Sequence, residues 1–201
     1  MNVDIRRLLV AGMAMPALYF LALFIAGALY PEYSHVRQVA SDLGAVGAPY
    51  GYATAFNIAL VAVGLSGLAG SLGLALGLSR LGAARSLAVM AGLVPAMPSV
   101  SLVQSGLFPL PSPYHASFIL LLVGVVTPVV GALALRRLPS TGPIRVTLYL
   151  AFAASLIVVG IIFGIGGLVT EDNLGLWLRV WAAVSLPTIG ILCFVVRKRL
   201  A

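Results

Sequence analysis

The chain has 201 residues, of which 61% are hydrophobic and 8% are charged, and its formal net charge is +7. Average globular domains carry roughly 25% charged residues, so this chain has too few charges to cover a surface in water. The composition excludes a water-soluble fold and predicts a membrane protein with several spans. The twelve Lys and Arg residues lie between apolar runs instead of clustering with aromatic neighbours, which argues against nucleic acid as a partner.

Six apolar runs are long enough to cross a bilayer, for which a helix needs about 20 residues. In chain order they are Leu8–Leu29, Ala53–Leu78, Leu87–Leu107, Ala116–Leu135, Ile144–Val169 and Gly175–Val196. The first run resembles a signal peptide, but it exceeds the roughly 7–15 apolar residues of a signal sequence, so we interpret it as a retained span. The runs leave no room for a soluble domain. The sequence therefore predicts one all-α domain, an integral membrane bundle of six transmembrane helices over residues 1–201.

Glycine spacing indicates how these helices pack. The second run contains G-L-A-L-G at Gly73–Gly77, and the fifth contains G-I-I-F-G at Gly160–Gly164. Small residues four positions apart let two helix backbones approach closely. We interpret both steps as packing surfaces within the bundle, and the sequence leaves the oligomeric state open.

Basic residues fall almost entirely on one side of the six-span arrangement. That side holds Arg6, Arg7, Arg80, Arg85, Arg136, Arg137, Arg145, Arg197, Lys198 and Arg199. Only Arg37 and Arg179 fall on the other side. By the positive-inside rule, both termini of this cell-membrane protein are expected in the cytoplasm.

The first extracytoplasmic loop, residues 30–52, is the longest and the most polar. Its core reads Y-P-E-Y-S-H-V-R-Q-V-A-S-D-L-G-A, from Tyr30 to Ala45. Ser34 and Gly44 are start and stop signals for a short helix that reaches Leu43. On such a helix an apolar stripe is formed by Val36, Val39, Ala40 and Leu43. We therefore predict that this loop folds back as a cap on the bundle.

Polar chemistry is expected at the extracytoplasmic rim, because the centres of the six runs contain no Asp, Glu, Lys, Arg or His. Ion pumps and proton-coupled carriers usually keep such residues at mid-membrane. The candidate reactive groups, for general acid–base catalysis or a metal, are His35, Asp42 and His115. The candidate ligand-binding residues are Arg37, Ser41, Asn57 and Arg179. Each of these alone is also an ordinary polar residue of a loop or helix end.

Helix geometry limits how the reactive groups combine. On one straight helix His35 and Asp42 are seven residues and about 10 Å apart, too far to bind one ion. A shared site then needs His115 from the second extracytoplasmic loop. We expect a side-chain atom of His35 or Asp42 within about 6 Å of the His115 ring, close enough for a direct or water-bridged contact.

The same residues form a pattern that resembles a known family. Y-P-x-Y-S-H and S-D-L-G-A-x-G-A-P precede an F-N in the second run, and G-L-F-P precedes a histidine near the fourth run. This order resembles the prokaryotic multi-span membrane family called domain of unknown function 998, over nearly the whole chain. The matching residues are His35, Ser41, Asp42, Leu43, Gly44, Pro49, Asn57, Phe108, Pro109 and His115.

What the resemblance implies is a compact multi-span membrane fold, without an activity. It also implies an acid shortly after Phe108-Pro109, whereas this chain reads F-P-L-P-S-P-Y-H. A His–carboxylate site built from that loop alone is therefore not expected. Standard catalytic motifs such as H-E-x-x-H, G-x-S-x-G or a P-loop are also missing.

Three functions stay open at this point. The first is a rim site that binds, or binds and hydrolyses, a lipid or amphiphile, with Arg37 or Arg179 as its anion anchor. The second is a carrier or permeation pathway for a neutral or apolar solute, for which Asn57 and Gln104 are the polar groups within the spans. The third is a non-catalytic accessory subunit. Membrane lipids are the expected partners, and the sequence indicates no particular metal or cofactor.

Overall fold

The computed structural model describes residues 4–48 and 51–200, which form helices and turns without a strand. Six helices are long and apolar enough to cross a membrane. They are α1 (Ile5–Leu29), α2 (Tyr52–Arg80), α3 (Arg85–Leu107), α4 (Phe118–Leu135), α5 (Gly142–Ile162) and α6 (Leu174–Arg199). Helix α4 is interrupted by one 3-10 turn, Gly124–Val126. The predicted all-α bundle of six apolar helices is confirmed.

Helix α2 packs against both α1 and α3, and glycines bring the backbones together. A Cβ atom at Gly12 of α1 would lie 2.6 Å from the Cα atom of Gly70 in α2. On another face of α2, a Cβ atom at Gly64 would lie 2.6 Å from the carbonyl oxygen of Ser99 in α3. Any larger side chain at these positions would separate the helices. The close packing expected of the second run is therefore present.

The prediction for the fifth span is wrong about where the helix ends and about how its glycines pack. Helix α5 ends at Ile162 instead of Val169. Gly164, Gly166 and Gly167 all have positive φ angles, which glycine adopts at low cost and which end a helix. A Cβ atom at Gly160 would meet only Ile165, and one at Gly164 would meet nothing within 4 Å. These glycines terminate the helix and do not form a packing step between helices.

The polar segment after α1 (residues 30–51) differs from the single helix that we predicted between Ser34 and Leu43. Ser34 does begin a turn, since its hydroxyl accepts the Arg37 N–H at 3.3 Å and its carbonyl accepts the Gln38 N–H at 2.9 Å. Val39 is then extended, with ψ at 156°, and a 3-10 helix follows over Ala40–Gly44. The break has a local cause. The Asp42 carboxylate accepts the Val39 N–H at 3.1 Å, and the Tyr33 hydroxyl donates to the Val39 carbonyl at 2.9 Å.

This segment lies at the end of the bundle opposite the two termini, which we call the loop end. The N–H groups of Leu176 and Gly175, in the first turn of α6, donate to the carbonyls of Val36 at 2.8 Å and Arg37 at 3.3 Å. Leu43 is 1% exposed and belongs to the main core. The described part of the segment is thus attached to the bundle, while Pro49 and Tyr50 lie outside the described residues.

Candidate functional site at the loop end

Arg179 in the second turn of α6 joins the polar segment to the bundle. Its Nε donates to Nδ1 of His35 at 3.2 Å, and its Nη1 donates to the carbonyls of Gln38 at 2.8 Å and Gly175 at 2.7 Å. Its Nη2 donates to the Tyr33 hydroxyl. A guanidinium has five N–H donors, so one N–H of Nη2 has no partner among the described residues.

Burial, together with the nearby charge of Arg179, shifts the pKa values of three neighbouring side chains. Burial lowers the pKa of His35 from its ordinary value, and the positive charge of Arg179 lowers it further. His35 is therefore neutral near pH 7, with Nδ1 as the acceptor of the Arg179 bond. Burial raises the pKa of Tyr33 to about 12, although Arg179 partly opposes this rise. Burial also raises the pKa of Asp42, against the opposing effects of the Val39 N–H and Arg179.

A second pair of side chains connects the first loop to the loop between α3 and α4. Nε2 of His115 lies 2.9 Å from the Ser41 hydroxyl, and Nδ1 lies 2.8 Å from the Phe108 carbonyl. A backbone bond from the Val46 N–H to the Leu110 carbonyl, at 2.8 Å, runs beside this pair. Ser41 and His115 are half-buried. The two loops therefore meet at a serine–histidine contact.

Beneath the segment is a cavity of about 170 Å³. Val39, Ala40 and Ser41 of the segment cover it. Its walls come from α1, α2, α3, α4 and α6, and they are mostly apolar, with Leu60, Leu102, Leu121, Leu178, Leu186 and Ile189 among them. Arg179 and Ser41 both line it. The cavity thus combines an apolar interior with a cation and a hydroxyl.

Two further polar groups of the cavity wall are buried without a partner. Thr127 is 3% exposed and Trp181 is 8% exposed. Neither the Thr127 hydroxyl nor the Trp181 indole N–H has a hydrogen-bond partner within the described ranges. Buried polar groups are nearly always hydrogen-bonded, so such exceptions point to a ligand or to water. Both residues line the same cavity.

The structure brings together some predicted site residues and separates others. Ser41 and Arg179 line the cavity, and His115 contacts Ser41. Asn57 instead donates its side-chain amide to the Gly44 carbonyl at 2.9 Å. The Arg37 side chain is exposed, and its backbone carbonyl contacts α6.

The segment contributes Ser41 as the hydrogen-bond partner of the His115 ring. The expected approach of a His35 or Asp42 side-chain atom to within about 6 Å of this ring stays a prediction. His35 bonds to Arg179, and Asp42 bonds to the Val39 N–H. The continuous helix that would carry His35 and Asp42 on one face is interrupted at Val39, which is extended.

Three groups of the site were not predicted from the sequence: Tyr33, Thr127 and Trp181. Tyr33 had one signal, its place in the Y-P-x-Y-S-H pattern. Thr127 and Trp181 lie inside apolar runs, where threonine and tryptophan are ordinary, and only the tertiary structure shows their unpartnered polar atoms.

Within the described ranges there is no group of three or more His, Cys, Asp or Glu residues placed to hold a metal ion.

The fold and this site define the class to which the chain belongs. It is a compact multi-pass membrane protein with a polar site at the loop end of its helix bundle. The family model described as protein of unknown function (DUF998) matches residues 13–195. The chain therefore belongs to the DUF998 family, as its sequence pattern had indicated. No curated protein and no solved structure matches it.

Proposed function

We propose that the protein binds an amphiphile from the membrane in the cavity at the loop end. The observation that carries the proposal is the pair of buried, unpartnered polar groups, Thr127 and Trp181, in a mostly apolar cavity. Leaving a buried donor or acceptor unpaired costs about 1–3 kcal/mol. A ligand with polar atoms among apolar ones would remove this cost. Binding sites for small molecules are typically apolar cavities with a few such convergent polar groups.

Charge indicates the kind of head group. Arg179 lines the cavity, and in the described part of the chain the one ion pair joins Arg7 to Asp4, near the opposite end. A cation without a direct ion-pair partner favours an anionic or strongly electronegative group beside it. We therefore propose a phosphate, carboxylate or ester oxygen near Arg179.

Size limits how much of the ligand enters. In another protein, an engineered apolar cavity of about 150 Å³ binds benzene. A cavity of about 170 Å³ therefore accommodates a group only slightly larger than benzene. It suits a short apolar chain, or the part of a longer chain next to the head group, with the remainder in the bilayer.

The charge distribution supports an orientation for this site. We propose that both termini lie in the cytoplasm and that the loop end faces the outside of the cell membrane, because basic residues concentrate at the other end. The cavity then opens at the depth of the outer lipid head groups. Membrane lipids are the nearest source of its ligand.

A cavity-filling substitution tests the binding proposal. We expect Ala182→Phe, at a wall position of the cavity, to weaken binding of dodecyl phosphate about tenfold or more, equivalent to about 1.4 kcal/mol. Binding is measured by native mass spectrometry and by the rise in melting temperature on ligand addition, in micelles of the neutral detergent dodecyl maltoside. The same spectra show amphiphiles that co-purify with the protein.

The matched control is Ala183→Phe, the same change at the next residue, which is exposed on the outside of α6. It is expected to bind dodecyl phosphate like the unchanged protein. Equal binding by both variants would contradict the proposed site. A protein that retains no amphiphile but co-purifies with a fixed protein partner would support the accessory-subunit alternative.

A further inference from the structure

We propose that Ser41 and His115 form a nucleophile–base pair that cleaves an acyl ester held in the cavity. The inference rests on the proposed amphiphile binding and adds a reaction and a substrate class to it. It does not use His35 or Asp42, which the sequence favoured as reactive groups. Three observations carry it: the geometry of the pair, the place of Ser41 in the cavity wall, and the charge of Arg179.

The hydrogen bonds of His115 determine which nitrogen is the base. The Phe108 carbonyl can only accept, so Nδ1 carries a proton and donates it at 2.8 Å. In the neutral ring Nε2 then holds the lone pair and accepts the Ser41 hydroxyl at 2.9 Å. A nucleophile, a base within hydrogen-bond reach and a third group that orients the base are the parts of a serine hydrolase site. Here a backbone carbonyl replaces the usual carboxylate.

The neighbouring serines show that this arrangement is specific to Ser41. Ser105 and Ser185 also line the cavity. Their hydroxyls donate to backbone carbonyls of their own helices, those of Ser101 at 2.8 Å and Trp181 at 2.7 Å. Such bonds are ordinary for serine in a membrane helix. Of these three cavity serines, Ser41 is the one whose hydroxyl is paired with a histidine.

The cavity and its cation fit an acyl substrate. An acyl chain of about six carbons resembles in size the benzene that a cavity of about 150 Å³ holds, and its carbonyl would lie next to the Ser41 hydroxyl at the cover of the cavity. The positive charge of Arg179, in the same wall, stabilises the negative oxygen that forms on attack. The substrate class is therefore an ester with one short acyl chain, or the head-proximal part of a longer one.

The reaction balances with water as the second substrate. The Ser41 oxygen bonds to the ester carbonyl carbon while its proton moves to Nε2 of His115 and the carbonyl electron pair moves to oxygen. When the carbonyl re-forms, the bond to the leaving alcohol breaks, and the alcohol takes the proton from Nε2. Water then attacks the acyl-serine, its proton passing through Nε2 to the Ser41 oxygen, and the carboxylic acid leaves.

A covalent probe tests the pair in the full-length protein. An alkyl fluorophosphonate with a hexyl chain is incubated with protein in dodecyl maltoside micelles, and peptide mass spectrometry locates the adduct. We expect the adduct on Ser41. His115→Gln keeps a side chain that hydrogen-bonds Ser41 but removes the base, so the labelling rate is expected to fall about 100-fold or more. Hydrolysis of 4-nitrophenyl hexanoate is expected to fall in parallel.

Ser79→Ala, which removes an exposed serine at the opposite end of the bundle whose hydroxyl donates to the Ala75 carbonyl at 2.8 Å, is the control and is expected to keep both activities. Melting temperature and dodecyl phosphate binding are measured on every variant, so a folding or binding defect is distinguished from loss of the reaction. Folded, ligand-binding wild-type protein without an adduct on Ser41 overturns the nucleophile–base pair while leaving amphiphile binding intact. Equal labelling of wild type and His115→Gln overturns it as well. If Ala182→Phe and Ala183→Phe bind dodecyl phosphate equally while Ser41 is labelled in the wild type, the binding proposal is refuted instead.

Discussion

At the scale of single residues, Arg179 connects the polar segment to α6 at the loop end. Its planar guanidinium donates to Tyr33, His35, Gln38 and Gly175, which belong to the segment and to α6. Lysine has three donors on a tetrahedral nitrogen and does not reproduce this set. The position therefore needs an arginine, and the neutral state of His35 is part of the same arrangement.

The neutral state of His35 predicts a pH dependence of stability. The pKa of His35 in the folded protein is below the ordinary value of 6.5. As pH falls, the unfolded chain therefore takes up a proton on this histidine at a higher pH than the folded protein does. Stability is full above pH 6.5 and is lost as pH falls toward the folded pKa. We expect the melting temperature of the wild type to fall between about pH 8 and about pH 5, where histidine titrates.

His35→Asn isolates this contribution, because asparagine keeps an acceptor for Arg179 but does not titrate. The variant is expected to show a smaller fall in melting temperature over the same pH range. Asp42 contributes in the opposite sense, since its raised pKa favours the folded state as pH falls toward 3.8, and it is present in both proteins. Parallel curves for wild type and His35→Asn would refute the role assigned to His35.

At the scale of elements, the polar segment completes helix α6. The first N–H groups of any helix lack partners within the helix, and α6 has no side-chain cap at Asn173. Carbonyls of Val36 and Arg37 accept these N–H groups instead. Helix and segment therefore depend on each other, and at the buried Gly175 there is no room for a side chain between them.

Gly175→Ala tests this dependence. The added Cβ atom would lie 2.9 Å from the Val36 carbonyl and closer still to the Gln38 carbonyl. Since both are backbone atoms, the segment must move, at a cost of about 1–3 kcal/mol. We expect a lower melting temperature and faster proteolysis within residues 30–45.

The control for this substitution is Gly190→Ala in the interior of the same helix. There the added Cβ atom would lie 3.4 Å from Cγ of Pro16, an ordinary van der Waals distance, and alanine is about 0.5–1 kcal/mol better than glycine inside a helix. This variant is expected to be as stable as the wild type or slightly more stable. Similar destabilisation by both changes would contradict the contact between segment and α6.

At the scale of the whole molecule, the proposed orientation gives a direct prediction. The test introduces single cysteines into a Cys193→Ala background. Asp172 lies at the loop end and Ser79 at the opposite end, and both positions are exposed. We expect a membrane-impermeant maleimide to label Asp172→Cys on intact cells and Ser79→Cys only after lysis. Labelling of Ser79→Cys on intact cells would reverse the orientation and place the cavity on the cytoplasmic side.

Much of the architecture follows from the sequence by itself. Hydrocarbon offers no hydrogen bonds to the backbone, so apolar runs of this length must become helices. For the same reason five of the six runs predicted α1, α2, α3, α4 and α6 closely. Of the candidate site residues in the polar loop, Ser41 lines the cavity. The end of α5 was missed because the spacing of Gly160 and Gly164 is the same in a packing step and at a helix end.

The composition of the site was decided only by the tertiary structure. A helical pattern places His35 and Asp42 on one face. That helix is interrupted at Val39, whose N–H donates to the Asp42 carboxylate and whose carbonyl accepts the Tyr33 hydroxyl. Ser41 contacts His115, 74 positions away in the chain. Long-range contacts of this kind, and the unpartnered atoms of Thr127 and Trp181, depend on how helices pack. Local sequence determines the helices, but the distance between side chains from different helices is set by packing.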